Sequence, residues 1–459
     1  MVSEKFRRQL HQQAELWQQE GLIDGQQYEQ LSVRYQFEDL EIGAGKRFIA
    51  ILLGVGSILL ALAAITFVAA NWQEWSHGFK LTLLLSLLVL VNCLGFSLWR
   101  NSNKFGRQKR LGQGLLLLGA LLVGPCMAQI AQMFHLGGAP YGLLFCWGIA
   151  VLVMAYSLEL TFLGVVAFGL VAVGYSWGQP EIAFSEPTSW SYWLLRHMPL
   201  ASLLLFAPLA YRCRSQVLFG LEALLLVAAL EVNLVQASEL APGVLAAISP
   251  MFPAALLWPY DDRIWPGVRR KAFQSLARIL ALICFCIPVY YLTFYDAWDF
   301  SVLNDAPSSS AWPTWDLLVD VAAFLGLTIV LWLRLIFRPR NLDLGTITVG
   351  SMLAISTVVL LWHHNLAPIP ILATFLFNCL FFLLALGLLR SSLETLNRNA
   401  FWSGILLLTL QIISRLLEYD TDLLFKSFIF FLCGAGVIAA GLWFEKHLST
   451  QISTQENLP

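Results

Sequence analysis

Charge is what this sequence has least of: Asp, Glu, Lys and Arg make up 12% of its 459 residues, roughly half the share of an ordinary soluble domain. A chain this poor in charge is not built to dissolve in water, and with 58% hydrophobic residues its main solvent is the bilayer. The net charge is −1, and no stretch outside the apolar runs interleaves Arg or Lys with aromatics, so no nucleic-acid partner is expected. The longer polar loops lack cysteine. All eight cysteines fall inside or at the edges of apolar runs, which excludes a disulfide framework. Cys284-x-Cys286 points its side chains to nearly opposite sides of a helix, so no zinc site is read. Phosphate loops of the G-x-x-x-x-G-K-[ST] type, dinucleotide fingerprints, G-x-S-x-G turns and H-E-x-x-H pairs are missing as well. No nucleotide-powered pump, cofactor or metal is therefore expected.

Apolar length is what the chain has instead. Phe48–Ala70 and Leu81–Trp99 run without a charge, and a helix needs about 20 residues to cross a ~30 Å hydrocarbon core. Runs of this kind recur to the end, at 48–70, 80–99, 111–131, 141–158, 160–177, 193–211, 216–236, 241–259, 273–295, 315–337, 346–362, 368–389, 400–418 and 425–444. The expected fold is all-α, a polytopic transmembrane bundle of about 14 spans over 48–444, with a tail at 445–459. Alternate loops carry the basic residues: Arg100, Lys104, Arg107, Lys109 and Arg110 in one, Arg212 and Arg214 in another, then Arg263, Arg269, Arg270 and Lys271, Arg338 and Arg340, and Arg390 and Arg398. The opposite loops hold no Lys or Arg. By the positive-inside rule both termini face the cytoplasm. Trp72, Trp75, Trp177, Trp190, Trp193, Trp298, Trp312, Trp315 and Trp362 gather near the outer ends, as rings anchored at headgroup level do.

Residues 1–47 are polar and show no charged-then-apolar leader with a small-residue cleavage site, so the amino end is expected to stay uncleaved. Phe6, Leu10, Ala14 and Trp17 recur at helical spacing, Gly21 is a natural stop, and Asp24-Gly25-Gln26-Gln27 reads as a capping box for a second helix whose apolar face is Tyr28, Leu31 and Tyr35. The result is a small cytosolic helical hairpin. It packs on itself or on loops, or docks a cytosolic protein partner.

Three stretches resemble a known family: Leu16-Trp17 with Gly21-Leu22-Ile23 and Tyr28; Phe67-Val68-Ala69-Ala70-Asn71-Trp72 with Phe79-Lys80-Leu81; and Gln129-Ile130-Ala131-Gln132-Met133-Phe134-His135-Leu136 with Leu143-Leu144-Phe145-Cys146-Trp147. They are similar to uncharacterised bacterial multi-pass inner-membrane proteins with an N-terminal domain of unknown function, over about residues 6–160. The closing segment around Ser414-Arg415, Glu418-Tyr419-Asp420 and Lys426–Phe430 resembles that of a related set. The resemblance implies an inner-membrane location and a hairpin joined to a bundle, and it carries no catalytic residues to transfer.

Candidate sites are the polar groups that the bilayer penalises. Glu222 and Glu231 lie within the seventh run, where a charge at the bilayer centre costs on the order of 2.5–3.5 kcal/mol. Nine residues apart, they stand half a turn out of phase and cannot share one face; Glu222 either serves a substrate or proton, or pairs toward Arg214. Asp316 and Asp320 share a face, and Arg415 with Glu418 forms a second group; these are expected to meet in an outward cavity or an interfacial salt bridge. Gln129, Gln132 and His135 trace a stripe at i, i+3 and i+6 toward the same side as Asn71, so Asn71 and His135 are expected to be neighbours. Gly112, Gly114, Gly119 and Gly124, then Gly164, Gly169 and Gly174, and Gly434, Gly436 and Gly441 mark close helix approaches. Pro125, Pro208, Pro250, Pro253 and Pro288 are read as helix breaks. A transporter or lipid-linked flippase ranks first, an envelope sensor or scaffold second, and an intramembrane enzyme last. The oligomeric state is not encoded in any motif.

Overall fold

The computed structural model describes residues 4–35, 38–70, 75–100, 106–135, 137–181, 189–237, 242–264, 273–298, 315–337, 343–395, 397–418 and 422–456. These are helical, without a strand among them. The chain divides into two compact units, Met1–Trp177 and Gly178–Pro459.

The first unit opens with the hairpin. Helix α1 (Glu4–Gln19) stops where Gly21 takes a left-handed φ of 74°, and α2 (Gly25–Tyr35) starts from a reciprocal capping box. The Gln27 N–H donates to Asp24 Oδ1 at 2.7 Å while the Asp24 N–H donates to Gln27 Oε1 at 3.0 Å, so two donors with no partner inside the helix are satisfied at once. Ala14 is fully buried against Leu10, Trp17, Ile23, Tyr28, Leu31 and Tyr35.

Next come α3 (Glu38–Ala70), α4 (His77–Arg100), α5 (Gly106–Met133), α6 (Pro140–Leu158) and α7 (Thr161–Gly178). Lipid tails are as apolar as leucine, so membrane helices associate through close packing and hydrogen bonds, which small residues permit. Gly112 of α5 sits so close to α4 that a Cβ there would lie 2.5 Å from the Trp99 nitrogen and 2.8 Å from the Gly95 carbonyl oxygen. Two turns further along the same face, Gly119 lies against the Asn92 amide, and Gly124 lies under the Trp147 ring of α6. Trp147 Nε1 donates to the Ala120 carbonyl at 2.8 Å, and Ser57 Oγ of α3 donates to the Gly114 carbonyl at 3.2 Å. Gly174 faces Phe145, whereas a Cβ at Gly169 would meet nothing, so that position is not a contact. The turn between α6 and α7 falls on Glu159 in a left-handed conformation, as its place between two apolar runs requires.

The second unit holds α8 (Trp190–Arg196), α9 (Met198–Cys213), α10 (Gln216–Ala237), α11 (Pro242–Ile248), α12 (Phe252–Leu257), α13 (Gln274–Tyr291), α14 (Trp315–Ile336), α15 (Leu344–Asn365), α16 (Pro370–Thr395), α17 (Arg398–Glu418) and α18 (Leu423–Glu456). Its core packs Phe285 of α13, Leu360 of α15, and Phe377 and Phe381 of α16 around Met251, with a second cluster joining Leu230 and Leu234 of α10 to Val321 and Phe324 of α14.

Eleven helices among the described residues are long and apolar enough to cross a membrane. The other expected spans fall on α3, on the pair α8/α9, and on the pair α11/α12. The first pair corrects the expectation of a single run, α8 and α9 meeting at 86°; in the second, a 3-10 turn at Ser249–Met251 separates α11 from α12 at Pro250, where a break was expected. Most of the expected proline breaks are corrected too. Pro125, Pro208 and Pro288 ride inside α5, α9 and α13, because a membrane helix whose freed carbonyl finds another partner tolerates proline.

Helix α18 departs from expectation in its packing. A Cβ at Gly434 or Gly436 would touch nothing, and none of its most apolar stretch is buried within the chain. It is held near its far end, by Phe444 stacked on Phe401 at 4.1 Å, by Gly441 over Trp402, and by an Arg398–Glu445 ion pair at 2.8 Å.

Candidate polar site around the broken helices

The bend between α8 and α9 has a local chemical cause. Pro199 stands in the first turn of α9 and has no N–H, and its ring would collide with the carbonyl four residues back if the helix ran through. The chain bends at His197, which closes α8 with an N–H bond to the Trp193 carbonyl and whose ring stacks on Trp193 at 5.5 Å. Irregular backbone at membrane depth must find partners inside the protein. Asn233 of α10 provides one, donating from Nδ2 to the Arg196 carbonyl at 3.0 Å.

The side chains at this bend form a connected group. His197 Nδ1 lies 2.9 Å from Asp320 Oδ1 of α14, and Asp320 is fully buried. Asn233 Nδ2 also approaches Asp320 Oδ2 at 3.5 Å. Arg196, itself buried, reaches Gln236 Oε1 at 3.5 Å, and Gln236 Nε2 reaches Gln179 Oε1 at 3.4 Å. A carboxylate, an imidazole, a guanidinium and three amides thus meet where one helix is broken.

The second break is partnered from the same helix. Ser249, at the start of the 3-10 turn, donates its hydroxyl to Glu231 Oε2 of α10, while Glu231 Oε1 is buried with no hydrogen bond. Beyond the break, the Ala255 carbonyl of α12 accepts from Trp332 Nε1 of α14 at 2.9 Å. Glu222 is 2% exposed, and its Oε1 is likewise buried without a partner. It makes no ion pair with Arg214, which is exposed in a left-handed turn, so the expected pairing is corrected. Eleven residues separate Glu222 from Asn233, three turns and about 20°, so these two share a face of α10 while Glu231 points away.

Arg415 and Glu418 form the expected ion pair, one turn apart on α17. They do not meet Asp320, which is engaged with His197 and Asn233; the side chain of Asp316 lies outside the described residues. Arg415 instead binds the end of α13. Its two terminal nitrogens reach the Thr293 carbonyl at 2.8 Å and the Thr293 hydroxyl at 3.2 Å, over the Phe294 ring at 4.5 Å. Glu418 Oε1 accepts the Tyr295 N–H at 3.0 Å, and Asn378 of α16 donates to the same Thr293 carbonyl. A cation at a helix C-terminus satisfies carbonyls that lack partners within the helix, which makes this group a helix cap.

Other expectations resolve more simply. Gln129 has a buried Oε1 without a partner and Gln132 is exposed, but α5 ends at Met133 and His135 lies past it with a φ of 50°, so the i, i+3, i+6 stripe is broken before its last member. Asn71 lies outside the described residues, and with it the expected closeness to His135. Trp298 is buried, donating to the Leu292 carbonyl and packing on His363 and Phe377, and is not a headgroup anchor. A buried carboxylate that the sequence did not single out, Asp262, accepts the N–H groups of Phe273 and Gln274 and the Tyr211 hydroxyl, which fixes the start of α13. Among the described residues no three His, Cys, Asp or Glu side chains are grouped to hold a metal.

Residues 15–164 match a family of membrane proteins of unknown function. Its description reads "Predicted membrane protein (DUF2157)". No curated protein and no solved structure matches the chain. The DUF2157 match runs from the last turn of α1 into the first turn of α7, so it takes in α2 and the glycine-packed helices α4 to α6. The groups around His197, Ser249 and Arg415 all lie beyond it. His197, Ser249 and Thr293 are the site residues that the sequence reading missed. The available signal was Pro199 two residues after a histidine, and Ser249-Pro250, each in the middle of an apolar run.

Proposed function

We propose that this chain is a transporter- or flippase-like protein of the bacterial inner membrane, with both termini in the cytoplasm. The observation that carries the reading is α10, flanked by two interrupted helices and engaged by a polar side chain at each interruption. Discontinuous helices commonly frame substrate sites near the bilayer midplane, and ionisable groups at that depth mark substrate or ion paths. Asp320 and Glu222 are the buried acids of this arrangement and Glu231 a half-buried one, with His197, Asn233 and Arg196 as the polar groups that would orient a substrate. Arg415 and Glu418 are assigned to holding α13, and Gln129, Gln132, His135, Asn71 and Asp316 stay secondary candidates. The basic-loop alternation supports the orientation.

A second reading, a sensor that docks a cytosolic protein through the hairpin, is favoured by the hairpin's own small core and its exposed Leu16 and Leu22. Complementation of a deletion strain, profiled for envelope stress and exported lipids, separates the two. Transport predicts that Glu222→Gln, Glu231→Gln and Asp320→Asn each abolish complementation at normal protein levels, while removal of residues 1–40 leaves it intact. The opposite pattern would replace transport with docking.

A further inference from the structure

The first unit contains a cavity of about 170 Å³ between α3, α5 and α7, large enough for more than one water molecule. Its floor is one face of α5, where Arg110, Gln113, Gly114 and Leu117 follow at i, i+3, i+4 and i+7. Polarity falls along that face from a guanidinium to an amide, a bare backbone and a leucine. Leu53 of α3 and Phe162 of α7 complete the apolar end. Gly114 keeps the floor open, and the Ser57 hydrogen bond to its carbonyl ties α3 to α5 beside the cavity. Gly54, on the rim, leaves space that no atom fills.

Three features identify the ligand chemistry. Arg110 is half-buried and belongs to the most basic loop region of the chain, with Arg107 and Lys109 beside it in sequence. A guanidinium next to an amide donor is a phosphate-binding pair, since both present N–H groups and the first also carries charge. The wall away from Arg110 is apolar, formed by Leu53, Leu117 and Phe162, and gives an acyl chain a surface to lie along. Free phosphate has no use for such a wall.

We propose that this cavity is a site for an anionic phospholipid, with the headgroup phosphate on Arg110 and Gln113 and an acyl chain along Leu53, Leu117 and Phe162. Basic pockets between membrane helices on the cytoplasmic side are suited to this chemistry. The site is independent of the transport reading, because every residue in it belongs to the first unit. A lipid held here would fill the space between α3 and α7 and fix their separation.

The test uses the full-length protein in detergent, with native mass spectrometry after equilibration with phosphatidylglycerol. The wild type should retain one phosphatidylglycerol through removal of the micelle. Arg110→Gln should reduce the retained fraction at least tenfold, and Leu117→Trp, which fills the cavity without touching the charge, should do the same. Arg398→Gln, an exposed basic residue paired with Glu445, should leave it unchanged. Equal retention in wild type and Arg110→Gln would overturn the proposal, whether or not Leu117→Trp folds. Displacement of the lipid by millimolar inorganic phosphate alone would also overturn it, in favour of a free-phosphate site.

Discussion

Replacing Gly112 with alanine should force α4 and α5 apart. The added Cβ would lie 2.5 Å from the Trp99 nitrogen, 2.8 Å from the Gly95 carbonyl oxygen and 2.9 Å from the Trp99 Cα, roughly 1 Å short of ordinary contact. All three are backbone atoms of a helix, so no rotamer change relieves the overlap. Overpacking of this kind costs about 1–3 kcal/mol, and the rigid neighbour places Gly112 at the upper end. Alanine returns up to about 1 kcal/mol of helix propensity, which leaves a net loss of about 2 kcal/mol, or roughly thirtyfold in the folded-to-unfolded ratio. Gly119→Ala should cost less, since its nearest neighbour is the Asn92 side-chain amide, which can swing away. Gly56→Ala, with nothing within 4 Å, should be neutral or stabilising. Unfolding of the full chain by SDS in mixed micelles, followed by tryptophan fluorescence, gives the three values. Equal stability of Gly112→Ala and Gly56→Ala would refute the close approach of α4 and α5.

Three further outcomes are expected. Asp320→Leu strands His197 and the Asn233 amide in a buried site and should destabilise the second unit by about 1–3 kcal/mol, with Asp320→Asn costing less; a double-mutant cycle with Asn233→Ala in the same micelle assay should show coupling, and additivity would break the assigned contact. Asp24→Ala removes one half of the capping box and should cost about 1 kcal/mol in the hairpin, seen as faster hydrogen exchange at the Gln27 amide with the spans unaffected. Phe444→Ala deletes the buried ring that stacks on Phe401, a change of about 3–5 kcal/mol in a closed core. Because so little else holds α18, the loss should appear as faster labelling of Cys433 by a membrane-permeant thiol reagent; an unchanged rate would mean α18 is anchored elsewhere.

The elements legible in the sequence were those whose causes are local. Gly21 and the Asp24/Gln27 pair define the hairpin through bonds spanning a few residues, and the spans follow from length and apolarity alone. The Arg415–Glu418 pair, three residues apart on one helix, was legible for the same reason. The partners that decide the polar sites are far apart in the chain: His197 and Asp320 are 123 residues distant, and Arg415 and Thr293 122. No spacing rule selects Asp320 over Glu418 as the group that finds a buried cation or imidazole. The prolines show the same limit. Five were read as breaks, yet three continue their helices, and the sharpest bend stands before Pro199, which had not been singled out.

A break at membrane depth needs partners from the rest of the protein. At His197 the Arg196 carbonyl is met by Asn233, and at Ser249 the hydroxyl at the start of the turn is met by Glu231. Both partners come from α10, two residues apart and so on nearly opposite faces of one helix. Helix α10 can therefore stabilise an interruption on each side of itself. An α10 without Asn233 and Glu231 would leave both irregular segments with unsatisfied groups at membrane depth, where each costs several kcal/mol. Two polar residues that look expensive in this span, Asn233 and Glu231, are the ones that meet the breaks beside it, and a structural role of that kind does not compete with transport. A site made of broken helices needs a continuous neighbour to hold its shape, and the acid that holds Ser249 keeps one oxygen unused.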